Sequence, residues 1–427
     1  MTLALVVFLV LVLIGMPVAF AIGIAGMAFF LQHPELPISI PIQLTVSATQ
    51  NFALLAIPLF IIAGNFLNHG GLTERLLQLA LMLTGRLRGG LAQVSVAMAT
   101  LMGGVSGSCI ADAAMQSRML GPEMVKRGFP RGYAAAVLSW GSILTPLIPP
   151  GIGFILYGTV GQVSIGRLFA AGVLPALLMW AALAAAIVWS AGRHGLQPEL
   201  AHRPRPREVG RALVGGLWAL LFPVLLLAGL RFGVFTPSEI GAFAVVYAVA
   251  VGAFAYRALG RRALRAALEG SMGDIGAVMF LIALSAIFGY GIVFERIPEL
   301  VSAAILGATR DPHLILALIV LLVLVAGTLI DGSILIVMLT PIFLPLARDA
   351  GIDPVHFGVV FVIAATLSNF TPPVGSAMYA VCSILRCPVA EYTRASPAFL
   401  LAILAVTLLV IAAPGVALAL PELLFGP

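Results

Sequence analysis

The chain carries uncharged runs longer than any soluble fold needs: Met1 to Pro34, Leu36 to Thr73, Gly132 to Gly166, Leu168 to Gly192 and Ala395 to Pro421. Each exceeds the ~20 residues that cross a bilayer as a helix. Hydrocarbon offers the backbone no water, so an isolated run must pair its amides within itself, as a helix does. Only 9% of the 427 residues are charged and 61% are hydrophobic, against about 25% charged in an ordinary soluble domain. The expected fold class is an all-α membrane protein, with no stretch left over for a soluble domain of useful size. The apolar stretch over 1–31 lacks a basic start and outruns the roughly 7–15-residue core of a cleaved leader, so it is expected to stay as a span.

Cysteine and charge remove other classes. Cys109, Cys382 and Cys387 stand in apolar settings and are too few for a disulfide framework or a zinc site, which leaves packing as their expected role. The net charge of +6 comes from loop arginines. With so little soluble surface it reads as membrane topology and contact with lipid, not as nucleic-acid binding. No organic cofactor is expected.

The sequence also repeats itself. A shift of 225 residues lines up Gly64 with Gly289, Glu74 with Glu299, Gly107 with Gly332 and Ser108 with Ser333. A shift of 223 lays "TPLIPPG" (145–151) on "SNFTPPVG" (368–375). Each half thus carries a Gly/Ser break followed by a Pro-Pro break, Pro149-Pro150 in the first and Pro372-Pro373 in the second. The expected organisation has a first repeat over 1–192, with a hairpin at about 90–120 and a proline-broken helix at about 132–158. A linker and connecting span follow over 193–238. The second repeat covers 239–427, with a hairpin at about 313–347 and a broken helix at about 357–384.

Basic residues set the sidedness, because Lys and Arg near helix ends favour the cytoplasm. Arg193, Arg203, Arg205, Arg207 and Arg211 mark the Pro-rich linker as cytoplasmic, and Arg257, Arg261, Arg262 and Arg265 mark a second cytoplasmic loop. Arg86 and Arg88 precede "GVSGSCIAD" (104–112), while Arg118, Lys126, Arg127 and Arg131 follow it, so both its ends lie on one side. Limbs of about 90–105 and 109–120 are too short to cross comfortably. A re-entrant hairpin with its tip near Ser106 satisfies both length and charge. The second copy is flanked by Arg310/Asp311 and Arg348/Asp349, a balance that an outer face permits. Counting crossings puts the N-terminus and first hairpin inside, and the second hairpin and C-terminus outside. The copies are then inverted, with about nine full spans plus two hairpins. "LTERLLQLALMLTGR" and "IPELVSAAILGATR" are amphipathic, and read either as surface-lying helices or as kinked continuations of the helix before each.

Inverted repeats with helices interrupted at membrane depth are the pattern of secondary transporters, in which unwound backbone and hydroxyls coordinate cations and half-helix N-termini face anions. The breaks supply oxygen ligands: Ser106, Gly107 and Ser108 with Thr145 at one, and Asp331, Gly332 and Ser333 facing Ser368, Asn369 and Thr371 at the other. Glycine lets carbonyls turn inward, and proline frees carbonyls by removing donors. Oxygen ligands without Cys or His suit a hard cation and not a transition metal. Sodium is the expected coupling ion, each charge gaining about 2.3 kcal/mol per 100 mV of membrane potential. The competing reading is that these small residues only let helices pack closely. Ser106, Asp112 and Ser333 are candidates for touching the solute; Asp112 is equally read as a backbone cap or as a partner of Arg118. Glu239, in "TPSEIGAF", reads as a helix-start carboxylate after an N-cap-like Ser238.

"GVSGS" also fits the nucleophile motif of an intramembrane serine protease. That chemistry needs a base at membrane depth beside Ser106. His33, His69, His194, His202, His313 and His356 all fall in expected loops or at segment ends, and Lys126 lies in the cytoplasmic flank. An enzyme is not expected.

The strings "GMPVAFAIGIAG" (15–26), "IPLFIIAGNFLNHGGL" (57–72), "GGVSGSCIADAAMQSRMLGPEMVKRGFPRGYAAAV" (103–137), "TPLIPPGIGFILYG" (145–158), "FTPSEIGAFAVVYA" (235–248), "DGSILIVMLTPIFLPLARDAGIDPVHFGVV" (331–360) and "TPPVGSAMY" (371–379) resemble the large membrane subunit of the tripartite ATP-independent periplasmic (TRAP) transporters. The resemblance covers nearly the whole chain and is weak in the central linker. It implies an elevator-type sodium symporter of the bacterial inner membrane that takes up a small organic anion, a carboxylate or a sulfonate. It also implies two partners, a small four-helix membrane subunit and a periplasmic substrate-binding protein. The breaks are similar to the Ser-Asn-Thr hairpins of sodium-coupled dicarboxylate carriers. That likeness implies one sodium at Ser106, Gly107 and Ser108 with Thr145, and another at Asp331, Gly332 and Ser333 with Asn369 and Thr371. Two departures lower the hydroxyl count: no Ser follows the prolines of "TPLIPPG", and "IDGS" replaces an "LDTS"-like string. The alternative is a stand-alone organic-anion carrier or exchanger without a binding protein. The sequence does not name the solute.

Overall fold

Glycine and proline decide where this apolar chain stops being helical. The computed structural model describes residues 2–426 except Asn51, Ala201, Leu329, Pro373 and Val374, and every regular element among them is a helix. The segment 1–31, expected as a single span, is two helices, Thr2–Leu13 and Val18–Gln32. They part where Gly15 turns left-handed (φ 88) and Pro17 lacks a donor. Ile165–His194 instead runs for 30 residues between a Ser164 cap and Gly195 in the left-handed region. "TPSE" opens Pro237–Ala250 with a reciprocal cap: Thr236 Oγ1 accepts from the Glu239 N–H, and the Glu239 carboxylate accepts from the Thr236 N–H at 2.8 Å. Glu239 therefore serves the helix start, and the capping residue is Thr236 rather than Ser238.

Among the described residues five helices are long and apolar enough to cross a membrane, and up to seven if each of two bent pairs counts once. The other apolar helices have only 10–17 residues. The expected nine full crossings are therefore not nine long helices. The amphipathic segments form separate helices, Leu72–Thr84 and Ile297–Ala308, each preceded by a left-handed residue, Gly71 (φ 79) and Arg296 (φ 53). They are not continuations of the helices before them.

Two hairpins and two broken helices make the centre. The first hairpin is Leu91–Ser106 and Cys109–Met119; the second is Pro312–Gly327 and Gly332–Asp349. The first broken helix is Arg131–Gly141, tightened into a 3₁₀ turn at Ser142–Leu147 and resumed at Ile152–Gly161 with a 44° bend. The second is Pro354–Leu367, tightened at Ser368–Phe370 and resumed at Ser376–Leu385. Pro149-Pro150 is cis. Pro372 follows the second 3₁₀ turn, and Pro373 lies outside the described residues.

The packing of these parts crosses between the halves. The outer limb Leu91–Ser106 rests on its own half's Arg131–Gly141, and Pro312–Gly327 on Pro354–Leu367. The inner limbs exchange: Cys109–Met119 packs against Ser376–Leu385, and Gly332–Asp349 against Ile152–Gly161. Trp140 and Phe370 pack with ring centroids 5.4 Å apart and planes tilted by 36° where the broken helices meet. Fully buried Tyr392 donates to the Phe370 carbonyl at 2.9 Å and sits 3.3 Å from Ser139 Oγ, so it ties the two breaks together. Around this centre Val18–Gln32, Ala56–His69 and Arg261–Phe294 pack as a second group, joined by Pro237–Ala250. Leucine, valine and tryptophan side chains such as Val214, Trp218, Leu321 and Val325 point outward, the surface that lipid requires.

Candidate functional site

At the first hairpin the helix Leu91–Ser106 ends because Gly107 adopts φ 63, a conformation that costs an L-residue about 1–2 kcal/mol. A side chain there would also run into the Pro150 carbonyl, so hairpin tip and proline break are in direct contact. The chain restarts at Ser108, whose Oγ accepts from the Ala111 N–H at 3.4 Å. One turn further, Asp112 is buried. Its Oδ2 accepts from Thr145 Oγ1 at 2.8 Å and from Gln116 Nε2 at 2.9 Å, while Oδ1 has no partner among the described residues. Its partners are thus Thr145 and Gln116, and not Arg118.

At the second hairpin Asp331 is itself the cap, its Oδ1 accepting from the Ser333 N–H at 2.9 Å. Asn369, in the second 3₁₀ turn, reaches back: its Oδ1 accepts from the Gly332 N–H at 3.1 Å, and its Nδ2 donates to Cys109 Sγ at 3.5 Å. A side chain on Gly332 would collide with the Ala365 carbonyl. Ser376 Oγ lies 3.2 Å from Asp331 Oδ2 and 3.3 Å from Asn369 Oδ1. Asn369 thus joins three parts: the second tip, its own break and the start of the first hairpin's inner limb.

Both tips open on one cavity of about 700 Å³. Of the residues picked out in the sequence, Ser106, Gly107, Ser108, Asp331, Gly332, Ser333 and Asn369 line it. Thr145 and Asp112 are buried behind the first tip, and Thr371 bonds the Ser368 carbonyl at 3.2 Å; none of the three is part of the lining. Sequence reasoning missed Asn65 and Asn68, on Ala56–His69, and Asp274, on Arg261–Phe294, which complete the wall. The signal was present: Asp274 stands at the head of the uncharged run 275–294 of its helix, where an ionisable residue is a functional hypothesis by default. No Lys, Arg or His stands among the lining residues. Ser106 Oγ has no hydrogen-bond partner among the described residues, so no base is poised to activate it.

The model of the tripartite ATP-independent periplasmic transporter family, DctM component, matches residues 5–416. The 2,3-diketo-L-gulonate TRAP transporter large permease protein YiaN of Escherichia coli is 35% identical over 373 residues, 87% of each chain. The isethionate TRAP transporter permease protein DctMQ of Oleidesulfovibrio alaskensis is 32% identical over 409 residues, 96% of this chain and 64% of that one. The crystal structure of the Alcanivorax borkumensis YdaH transporter has a TM-score of 0.61 over 88% of this chain and 87% of that one, at 18% identity, a likeness of fold.

Proposed function

This chain belongs to the DctM family, the large membrane subunit of the TRAP transporters, and from that premise we propose that it takes up a small organic anion, carboxylate or sulfonate, by sodium-coupled symport across a bacterial inner membrane. As a multi-pass permease it catalyses no covalent step. In this reading Ser106, Gly107 and Ser108 hold one sodium ion, with Thr145 and Asp112 behind them fixing the tip. Asp331, Gly332, Ser333 and Asn369 hold a second, with Thr371 stiffening the break. The helices Cys109–Met119 and Gly332–Asp349 both begin at the cavity, and helix N-termini favour an anion. Sodium binding orders the tips around the solute's acid group, and the hairpins and broken helices then move as a unit against the outer helices, in the manner of an elevator. A small four-helix membrane subunit braces the outer helices, and a periplasmic binding protein delivers the solute.

The observation that carries the reading is that two tips 225 residues apart in sequence meet at one cavity, each tied to a proline break. The relatives named for 2,3-diketo-L-gulonate and isethionate support an organic acid as the cargo. Proteoliposomes containing this chain, the small subunit and the binding protein test it under an imposed sodium gradient. Ser108→Ala and Asp331→Ala are each expected to weaken sodium-dependent uptake about tenfold or more, the scale of a lost charge-assisted contact. Unchanged sodium dependence in both variants removes the ion sites. Equal uptake without the binding protein moves the chain to the stand-alone carrier reading.

A further inference from the structure

We infer that Asp274, with Asn65 and Asn68 beside it, is a subsite for hydrogen-bond donors on the solute, so that the cargo is an organic acid bearing an ammonium or hydroxyl group away from its acid group and not a simple dicarboxylate. The inference rests on the transport reading above and narrows its substrate class.

The side-chain charge lining the cavity is of one sign. Two carboxylates line it, and no basic side chain does. Asp331 is already engaged by the Ser333 N–H and by Ser376. Asp274 receives a single long contact, from Asn65 Nδ2 at 3.5 Å, and that amide makes its shorter bond to the Ile61 carbonyl at 3.2 Å. Asn68 Oδ1 and Ser106 Oγ are buried without a partner among the described residues. A buried acceptor left unmet costs about 1–3 kcal/mol, so Asn68 Oδ1 calls for a donor from the occupant, while the exposed Asp274 holds a carboxylate open at the cavity wall beside it. Sodium supplies positive charge at the hairpin tips, where Ser106 lies. Asn68 and Asp274 sit on other helices, the amide oxygen short of a donor and the carboxylate open to one.

The distance is short enough for one small molecule to bridge. Gly64 approaches the first tip so closely that a side-chain carbon there would lie 2.9 Å from the Val105 carbonyl oxygen and 3.4 Å from Ser106 Cα. Asn65 is the next residue and Asn68 one turn further along the same helix. A solute with its acid group at the tip thus extends its far end along this wall. A second carboxylate there meets the like charge of Asp274, whereas an ammonium or hydroxyl satisfies it.

The test is ligand-induced thermal stabilisation of the detergent-purified complex of this chain with its small subunit, titrated in sodium with succinate, taurine and gluconate. Wild type is expected to bind taurine or gluconate more tightly than succinate; taurine leading marks an ammonium, gluconate leading a hydroxyl. Asp274→Asn is expected to raise the ratio of the preferred acid's Kd to that of succinate about tenfold or more, and Asp274→Glu to bring it back toward wild type. Succinate binding tightest in wild type, or a ratio unmoved by Asp274→Asn, overturns the inference and leaves sodium-coupled transport standing. So does loss of sodium-induced stabilisation in Asp274→Asn without any acid, which marks the residue as an ion ligand. No sodium-dependent stabilisation by any of the three acids overturns the transport reading and this inference with it.

Discussion

The two hairpin tips solve one mechanical problem with opposite chemistry. Each must be fastened to the proline break behind it. In the first half the fastening is a hydrogen bond from a break hydroxyl, Thr145, to a carboxylate inside the hairpin, Asp112. In the second it is a break amide, Asn369, that accepts from the hairpin backbone at Gly332. The repeat register makes the exchange explicit: Asp331 stands where the first half has Ser106, and Asn369 where it has Pro146. A side chain that proline cannot supply is replaced by a carboxylate one turn further into the hairpin. The consequence is electrostatic. The first tip buries its charge and shows hydroxyls to the cavity, whereas the second shows its charge.

The sharpest way to break this comparison is to fill the tips. Gly107→Val and Gly332→Val each push a side chain into a carbonyl, Pro150 or Ala365, and overpacking of this kind costs about 1–3 kcal/mol. Gly107 alone adds the left-handed backbone, worth about 1–2 kcal/mol more. Gly107→Val should therefore lose more folded protein, measured as the monodisperse fraction after detergent extraction; equal losses would mean that φ 63 is not required.

A smaller effect separates the two carboxylates. Asp112→Ala strands the Gln116 donor and leaves Thr145 only its 3.5 Å contact with the Ala99 carbonyl, at about 1–3 kcal/mol for a donor left unmet, so Tm should fall by a similar amount with and without sodium. Asp331→Ala removes a single helix cap, worth about 0.5–2 kcal/mol, so its sodium-free Tm should fall less than that of Asp112→Ala and the rise that sodium produces should vanish. The opposite pattern would exchange the roles of the tips. Smallest of all, Cys109→Ala removes the 3.5 Å contact with Asn369, a weak bond worth about 0.5–1 kcal/mol. A larger fall in Tm would make that sulfur the main link between the halves.

What the sequence disclosed was local. The Gly-Ser pairs marked the points near Ser106 and Gly332 where helices end and restart, because the length of a helix and the cost of φ 63 are properties of neighbouring residues. The proline breaks were legible for the same reason. Contacts made across distance were not. Asp112 meets Thr145 over 33 residues, and a carboxylate one or two turns before Arg118 reads as a backbone cap or as its ion partner until the fold turns it inward. Asn65 and Asp274 lie 209 residues apart, and neither belongs to the repeated pattern that drew attention to the tips. Uncharged runs also hid their own interruptions: 1–31 satisfies every length rule for a span, yet Gly15 and Pro17 divide it.

The exchange of inner limbs has a consequence for how the molecule is made. The limb that starts at Cys109 is fastened early to Thr145 of its own half, but its tip meets Asn369 only 260 residues later. At about 5–20 residues per second, the ribosome leaves that polar tip without its cover for some tens of seconds. The first half therefore waits with one face of this limb uncovered, and a chain severed at its central linker should yield two fragments that are more stable together than apart.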